Sequence, residues 1–278
     1  MLPTELQTAL NARLDGDQLE LPLLPEVAGQ VLVATMGESP DPSSLTRLLR
    51  RDQALSGHVL RIANSPLYKP RLPIFTLERA VVRLGMKSLR EIAAMVACQT
   101  KIFTVPRYAM EVRDLFRHSL GTAIYAQEIA KLLRWQDEAA FLCGLLHDVG
   151  RPVLIQALSE LQDQLGVEAE ADDIFAACDD LHEELGATLI ESWGLPAMFS
   201  EPVRYHHNPE NAPERTRYGA MMTRLADDLA HFALGPRRVD ADELLGHAML
   251  IHLGLHSVDV ERLMMKSDDV IVAVEALG

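Results

Sequence analysis

Apolar residues recur at spacings of three and four along nearly the whole chain, and polar residues fill the positions between them. This is the period of an amphipathic helix, whereas the alternation by two that is typical of a half-buried strand forms no convincing run. Asp41 and Pro42 stand where a helix cap and first helical residue are expected, ahead of an apolar stripe at Leu45, Leu48 and Leu49. The pattern therefore predicts an all-α fold.

Longer helices are predicted in the second half of the chain. A single helix from Pro106 to Arg134 would be roughly 40 Å long at the usual rise per residue. The next helix, which Asp137 can cap, is apolar on every side over residues 139–146, so we expect it to be buried all round. It ends at His147. Further helices are predicted around 173–193, 199–207 and 214–234.

Charge is divided unevenly and indicates two parts. Residues 45–117 contain 14 Lys and Arg against 5 Asp and Glu, a net charge of +9 in a chain whose total is −14. Arginines of this segment, such as Arg90, are interpreted as solvated outer helix faces or as a surface for an anionic partner or for the acidic second half. With a boundary near 105, the predicted organisation is an N-terminal subdomain (1–105), a second helical subdomain (106–235) and C-terminal helices that complete the bundle (236–278).

Composition narrows the function classes. The 278 residues are 48% hydrophobic and 24% charged, which is typical of a folded globular protein. The net charge of −14 argues against general wrapping of nucleic acid or of an anionic membrane. Cys98, Cys143 and Cys178 form no C-x-x-C pair, and we find neither a leader pattern nor an uninterrupted apolar stretch of spanning length. These features predict a cytoplasmic protein.

The dipeptide His147-Asp148 is the most informative chemical feature of the chain. An imidazole and a carboxylate at the end of a buried helix are costly to hold there without a partner, and a metal ion would satisfy both. Two structural explanations stand beside this one. The helix dipole favours a protonated histidine at a C-terminus, and Asp148 could cap the next helix.

Other histidines and carboxylates lie where they could join this pair. Asp114 and His118 are four residues apart, so they share one face of the long helix. Each further candidate, taken separately, is more typical of a core or surface side chain than of a ligand, but the whole set is harder to explain in that way. These candidates are His182, placed mid-helix beside an apolar face, the pair His206-His207 at the end of a short helix, and Asp227, which His231 follows by four residues.

The order of these residues resembles the ligand order of the HD superfamily of metal-dependent phosphohydrolases, particularly its HD-GYP phosphodiesterase branch. The resemblance implies a divalent-metal site, for which iron, manganese, zinc or magnesium would suit the mixed donors. It also implies that Asp148 and Arg151 are catalytic, with Arg151 contacting a phosphate. The implied ligands are His118, His147, Asp148 and Asp227 at an inner site, His182, His206 and His207 at a second position, and Asp114.

A second resemblance covers more of the chain, roughly residues 20–215, and is more specific. The sequence is similar to the HDOD family, the HD-related output domains of bacterial signalling proteins. The segments that carry this resemblance are Leu21-Pro22-Leu23-Leu24-Pro25, Arg51-Asp52-Gln53-Ala54-Leu55, Ile62-Ala63-Asn64-Ser65-Pro66-Leu67-Tyr68, Ala80-Val81-Val82-Arg83-Leu84-Gly85, Gly144-Leu145-Leu146-His147-Asp148-Val149-Gly150, Trp193-Gly194-Leu195-Pro196 and Tyr205-His206-His207-Asn208-Pro209.

The HDOD resemblance implies a bundle of short N-terminal helices packed on an HD-like helical bundle. It implies a regulatory module that acts through a signalling protein partner. The net charge of −14 argues against a membrane or a nucleic acid as partner, and direct nucleic-acid binding through residues 45–117 is kept as a third hypothesis. The alternative is a metal-dependent phosphohydrolase or phosphodiesterase that acts on a nucleotide-like phosphoester. Two departures from the hydrolytic pattern bear on this choice: residues 208–213 lack an Asp-Gly-x-Gly-Tyr-Pro loop, and Arg151 replaces a lysine.

Overall fold

The computed structural model describes residues 1–16, 18–37, 40–65, 72–135, 137–235 and 239–277, except the side chains of Asp137 and Glu138. In these ranges the regular structure is helical and no strand occurs, which confirms the all-α prediction. Pro66-Leu67-Tyr68 of the HDOD-like motif, and the side chain of the predicted cap Asp137, lie outside the described part. The helices are α1 (Thr4–Asp15), α2 (Glu26–Met36), α3 (Pro42–Leu49), α4 (Gln53–Ala63), α5 (Leu77–Ala97), α6 (Ala109–Leu133), α7 (Asp137–Leu146), α8 (Gly150–Leu165), α9 (Ala171–Asp179), α10 (His182–Ser192), α11 (Ala197–Arg204), α12 (Glu214–Leu234), α13 (Ala241–Leu245), α14 (Met249–Leu253), α15 (Ser257–Met264) and α16 (Ser267–Leu277).

The chain forms two compact units. Unit 1 comprises Met1–Pro22 and Ile102–Ile271, and unit 2 comprises Leu23–Lys101 and Val272–Gly278. The change from unit 2 to unit 1 after Lys101 falls close to the charge boundary near residue 105. The two ends of the chain are distributed differently from the sequence-based division, because α1 falls in unit 1 and the last turns of α16 fall in unit 2.

Helix α1 packs within unit 1, although its position in the sequence predicted a place in the N-terminal subdomain. Its Leu6 and Leu10 are fully buried, and α1 contacts α8. At the C-terminal end of α1, Arg13 Nη1 donates to Glu160 Oε2 at 3.1 Å. An amphipathic helix specifies that one of its faces is covered, but its own sequence does not specify which surface covers it.

In unit 2, the start of α3 follows the predicted capping pattern. The Asp41 carboxylate accepts hydrogen bonds from the backbone N–H groups of Ser43 and Ser44, both at 3.0 Å, and Pro42 occupies the first turn. These bonds satisfy donors that would otherwise have no partner within the helix. The capped helix buries Leu45 and Leu49, which belong to the predicted apolar stripe.

Arg90 in α5 corrects the interpretation of the basic segment as solvated throughout. Its side chain is buried, and its Nη2 donates to the carbonyl oxygen of Thr35 in the last turn of α2 at 2.7 Å. A buried guanidinium needs such acceptors, because its charge cannot be removed at ordinary pH. Arg50 and Arg51 remain exposed and pair with Glu78 and Glu26.

The core of unit 1 is built around α6, whose 25 residues confirm the predicted long helix. It packs against α7 and α12, and residues 139–146 of α7 are all buried, as predicted. Gly144 of α7 allows the backbones of α6 and α7 to lie close together, because a Cβ at this position would be 2.7 Å from Ala123 Cα of α6. Helices α14 and α15 pack on α12, and α15 also contacts α6.

The stretch Ala139–Leu165 contains most of α7, the following turn and all of α8. By length and composition it is apolar enough to cross a membrane, with a mean hydropathy of 1.2. However, 89% of its most apolar window is buried inside the protein. His147, Asp148 and Arg151 also interrupt the stretch at its centre. These features are typical of a core helix pair, and its apolar surface is covered by the chain itself.

Candidate metal centre

The turn between α7 and α8 presents His147 and Asp148 to the interior of unit 1. The turn is closed by backbone hydrogen bonds from Val149 N to Leu146 O and from Arg151 N to Asp148 O, both 3.0 Å long. His147 and Asp148 are almost completely buried. The dipeptide therefore lies at the end of a buried helix, as its sequence context predicts.

Gly150 brings a second element against this turn. A Cβ at Gly150 would lie 2.2 Å from the carbonyl oxygen of His182 and 2.9 Å from the nitrogen of Gly186. Only a residue without a side chain can occupy this contact between α8 and α10. His182 is the first residue of α10, which corrects its predicted place in mid-helix. At this end of the helix its imidazole reaches Asp148, with 3.1 Å between His182 Nε2 and Asp148 Oδ1.

A first group of ligand-type atoms joins α6, the α7–α8 turn and α12. His118 Nε2 and Asp227 Oδ1 are 2.9 Å apart, and His147 Nε2 is 3.6 Å from both Asp227 Oδ1 and Asp148 Oδ2. His231, one turn after Asp227, places its Nε2 3.4 Å from the same Asp227 oxygen. These side chains offer a mixed imidazole and carboxylate donor set of the kind that binds divalent transition metals.

A second group consists of three histidines, two of which lie close to the other oxygen of Asp148. His182 Nε2 lies 3.4 Å from His206 Nε2 and 3.2 Å from His207 Nε2. Asp148 Oδ1 is 3.1 Å from His182 Nε2 and 3.8 Å from His206 Nε2. Asp148 thus contacts both groups, one through each carboxylate oxygen.

Backbone carbonyls decide which ring nitrogen points into the centre. In His147, His182 and His206, Nδ1 lies 2.8, 3.0 and 2.7 Å from a carbonyl oxygen, provided by Gly144, Cys178 and Val203 respectively. A carbonyl only accepts, so Nδ1 carries the proton and Nε2 of the neutral ring presents a lone pair to the interior. Outer contacts of this kind orient histidine ligands in metal sites.

The arrangement fits a cation. His147 Nε2 and Asp148 Oδ1 are buried and have no hydrogen-bond partner. Imidazole lone pairs and carboxylate oxygens within 4 Å repel each other unless a positive charge lies between them. The ligand atoms of each of three sets lie within 4.8 Å of one another, a spacing that one metal ion can bridge; the sets are His118–His147–Asp148, His118–Asp227–His231 and His182–His206–His207.

The electrostatics of the centre keep its carboxylates ionised. Burial would raise the pKa of Asp148, but the charges of His147 and Arg151 hold it well below its usual range. Burial would likewise raise the pKa of Asp227, but the hydrogen bond from His118 and the nearby imidazole of His147 hold it well below the usual value. Ionised carboxylates are the form that binds a metal ion.

The histidines divide according to their neighbours. Burial lowers the pKa of His147, but Asp148 and Asp227 outweigh it and the net shift is upward. Burial and the neighbouring histidine His182 lower the pKa of His207 to about 4, and burial beside His118 lowers that of His231 to about 4. These two rings are therefore neutral at pH 7, as metal ligation requires.

The centre opens into a cavity of about 730 Å³. A cavity of this size accommodates a small molecule such as a nucleotide. Arg151 lines its wall, with Nε 2.9 Å from Asp148 Oδ2 and Nη1 2.7 Å from Asp179 Oδ1. The lining residues are Glu111, Asp114, Leu115, His118, Asp148, Arg151, Ala171, Asp172, Phe175, Asp179, His207, Asp227 and His231.

Most of the candidates chosen from sequence converge, and one does not. Asp114 is exposed and lines the cavity one turn before His118, outside the three sets of ligand atoms found among the described residues. His231 joins the centre although it was not among the implied ligands. Its spacing of four from Asp227 was the available signal, since residues at this spacing share a helix face.

Comparisons with known proteins agree with this architecture. An HDOD domain protein of unknown function from Geobacter sulfurreducens has a similar structure, with a TM-score of 0.76 at 24% identity over 98% of this chain and 99% of that one. A candidate metal-dependent phosphohydrolase from Shewanella amazonensis SB2B has a TM-score of 0.75 at 20% identity over the same shares of the two chains. At these identities the similarity establishes the fold.

A curated relative extends the comparison. An uncharacterized protein from Treponema pallidum (strain Nichols) is 26% identical over 220 residues, which is 76% of this chain and 41% of that protein. The chain thus spans less than half the length of this relative. The family model of the HDOD domain matches residues 21–209, well over half of the 278 residues. The chain therefore belongs to the HDOD domain family.

Proposed function

We propose that this HDOD chain binds divalent metal at the centre in unit 1 and hydrolyses a phosphoester of a nucleotide-like substrate. The observation that carries the proposal is the convergence of His118, His147, Asp148 and Asp227 beside an open cavity. A site that only braced helices would not need access to a cavity of small-molecule size. The Shewanella neighbour, named for metal-dependent phosphohydrolysis, supports the same class of reaction.

The chain's own residues would perform three tasks at this site. His118, His147, Asp148 and Asp227 would hold the ion, and backbone carbonyls keep the Nε2 atom of His147 directed inward. When bound, a divalent ion supplies Lewis acidity, which lowers the pKa of water at the site and neutralises charge on a phosphoryl oxygen. Asp148, ionised and shared by both groups, would fix the position of the reacting groups relative to the ion.

Arg151 is proposed to contact the substrate phosphate from the cavity wall. Its guanidinium already contacts Asp148 and Asp179 and is largely shielded from solvent. Arginine can bind two acceptors at once through its planar fork, so a phosphate could share it with Asp148 if Asp179 at the exposed end were displaced. An Arg151→Lys variant should therefore bind substrate more weakly while retaining its metal.

The contacts of Arg151 also favour a second candidate, a regulatory module in which metal stabilises unit 1 and a signalling partner binds the surface. Among the described residues that line the cavity, Arg151 is the one Lys or Arg side chain, and two carboxylates already neutralise it. A cavity so rich in acidic groups attracts a polyanionic substrate poorly. This candidate predicts bound metal without turnover.

One experiment separates the two candidates. The protein is purified without chelator, its metal content is measured, and hydrolysis of bis(p-nitrophenyl) phosphate, nucleotides and cyclic dinucleotides is assayed. We expect metal-dependent turnover that His147→Ala and Asp148→Ala abolish. His252→Ala is the matched control, because this histidine is exposed on α14 and belongs to none of the ligand sets. Bound metal with no turnover on any substrate would refute the hydrolase and support the regulatory module.

A further inference from the structure

The three histidines His182, His206 and His207 do not all have the same kind of partner at Nδ1, the ring nitrogen that points away from the centre. His182 and His206 direct Nδ1 at carbonyl oxygens of Cys178 and Val203, which leaves Nε2 free to bind a metal. His207 instead directs Nδ1 at the guanidinium of Arg224, with 2.9 Å between His207 Nδ1 and Arg224 Nη1. The outer partner of His207 is thus a hydrogen-bond donor.

This contact determines where the His207 proton lies. Arginine only donates, so His207 Nδ1 must accept, and the proton of the neutral ring must be on Nε2. His207 Nε2 lies 3.2 Å from His182 Nε2, whose lone pair can receive that proton in a hydrogen bond. An imidazole that carries its proton on Nε2 binds a metal there only if the proton moves to Nδ1. The Nδ1 atom of His118 has no hydrogen-bond partner and can take the proton, whereas the Nδ1 atom of His207 faces the Arg224 donor.

Arg224 is itself held firmly in this position. Its Nη2 is 3.1 Å from Asp228 Oδ2, and Asp228 is buried. His247 Nε2 approaches the same oxygen at 3.0 Å, and because His247 Nδ1 accepts from the backbone N–H of Met249, its proton lies on Nε2 and is donated to Asp228. The C-terminal segment therefore orients Asp228, and Asp228 orients Arg224.

We propose that Arg224 is a positioning residue that keeps His207 from binding metal, so that the three-histidine group is a weak second site and one ion binds tightly at His118, His147, Asp148 and Asp227. The guanidinium also places a permanent positive charge next to the ring, which opposes a second cation nearby. The inference rests on the proposed function, which requires a metal centre. It adds that the first group of ligand atoms binds metal more tightly than the three-histidine group.

Removing Arg224 should change the metal affinity in the direction opposite to that expected for most residues that contact a ligand from outside. An outer residue that supports a true ligand weakens metal binding when it is removed, commonly by about 10- to 100-fold. Removing Arg224 should have the opposite effect, because His207 can then move its proton to Nδ1 and bind through Nε2. We expect Arg224→Met to tighten the binding of the second ion by about tenfold or more. The first ion should be affected less, although Arg224 Nη1 lies 3.9 Å from Asp227 Oδ2.

The test is a titration of the full chain, stripped of metal with chelator, with Mn²⁺ followed by electron paramagnetic resonance and with Zn²⁺ followed by calorimetry. The wild type should show one tight and one weak equivalent, and Arg224→Met should show two tight ones with the spin coupling of a Mn²⁺ pair. Arg215→Met is the control, because Arg215 lies on the same helix and pairs with Glu201. It removes the same charge and should leave both affinities unchanged.

A second variant keeps the proposal testable if Arg224→Met is unstable. His207→Gln should change the affinity for the first ion by less than about threefold, whereas His147→Gln should reduce it by about tenfold or more. Two equally tight ions in the wild type, or weaker binding of the second ion by Arg224→Met, would overturn the inference and leave the proposed function standing. Failure of every variant and of the wild type to bind either metal would overturn both.

Discussion

Gly150 is the position at which one added methyl group should disturb both the fold and the metal centre. It is the first residue of α8, and a Cβ there would lie 2.2 Å from the carbonyl oxygen of His182. Close carbon–oxygen contacts in proteins are roughly 3.3 Å long, so Gly150→Ala must separate α8 from α10 by about 1 Å. The atoms in contact belong to the backbone, so rotation of a side chain cannot relieve the clash.

The expected cost of Gly150→Ala follows from that displacement. Overpacking of a close-packed interior costs about 1–3 kcal/mol, and we expect a value near the upper end because two helices must move. The shift also lengthens the 3.1 Å contact between His182 Nε2 and Asp148 Oδ1. A misplacement of about 1 Å in a reactive site can reduce turnover about a hundredfold.

Two other glycines provide a graded control for the same chemical change. At Gly121 the added Cβ would meet the end of the Leu234 side chain at 2.5 Å, which can rotate away, so Gly121→Ala should cost less. At Gly57 in α4 nothing lies within 4 Å, and Gly57→Ala should stabilise by about 0.5–1 kcal/mol through helix propensity. Urea unfolding followed by circular dichroism, with metal titration of each variant, measures both effects.

The order of the three variants is the decisive result. If Gly150→Ala proved as stable as Gly121→Ala and bound metal with the affinity of the wild type, then the contact between α8 and α10 would not position the centre. Gly150 would then not determine the position of His182 relative to Asp148.

Three further changes test other parts of unit 1. Removing metal with chelator should lower the melting temperature of the wild type, since a ligand present at a hundred times its dissociation constant stabilises the folded state by about 2.7 kcal/mol. Identical melting curves with and without chelator would count against bound metal. Tyr108→Phe removes the donor to Gln162 Oε1, a buried contact of 2.7 Å, and should cost about 1–3 kcal/mol in urea unfolding; an unchanged free energy of unfolding would show that this hydrogen bond does not stabilise the fold. Partial burial would raise the pKa of Glu128, but hydrogen bonds and charge from Lys131 and Lys266 outweigh burial and lower it. The ionised form of Glu128 therefore stabilises the fold at pH values above the ordinary pKa of glutamate, and this stabilisation is lost as the pH falls through the lower pKa of the folded state. Glu128→Gln should therefore reduce the melting temperature at pH 7 and make no difference near pH 2, and a gap independent of pH would contradict this assignment.

Local features of the fold follow from nearby residues. The length of α6 was predictable because its apolar spacing continues from Pro106 to Arg134. The start of α3 was predictable because Asp41 caps its first turn and Pro42 follows as the first helical residue. The buried position of Arg90 was not predictable, because its acceptor, the carbonyl of Thr35, lies 55 residues away. A helix's sequence reports that a face is polar or apolar, but not which distant carbonyl will satisfy a charge placed on it.

The candidate centre shows the same division. The spacing of Asp114 and His118, and the order of the histidines, indicated a metal site before any geometry was known. The structure brought His118 within 2.9 Å of Asp227, 109 residues away, and left Asp114 exposed at the cavity. It also added His231, whose spacing from Asp227 indicated a shared face without indicating that the face pointed inward.

The helical segments and the residue types that could bind a metal are predictable from the chain alone, because helix periods, caps and ligand chemistry depend on neighbours within a few positions. Only the folded chain shows which oxygen of Asp148 meets which histidine, and that Arg224 rather than a carbonyl faces His207. Those contacts depend on how closely helices distant in the sequence approach one another. That approach is set by the packing of whole faces and by glycines such as Gly150, where one absent side chain permits the contact.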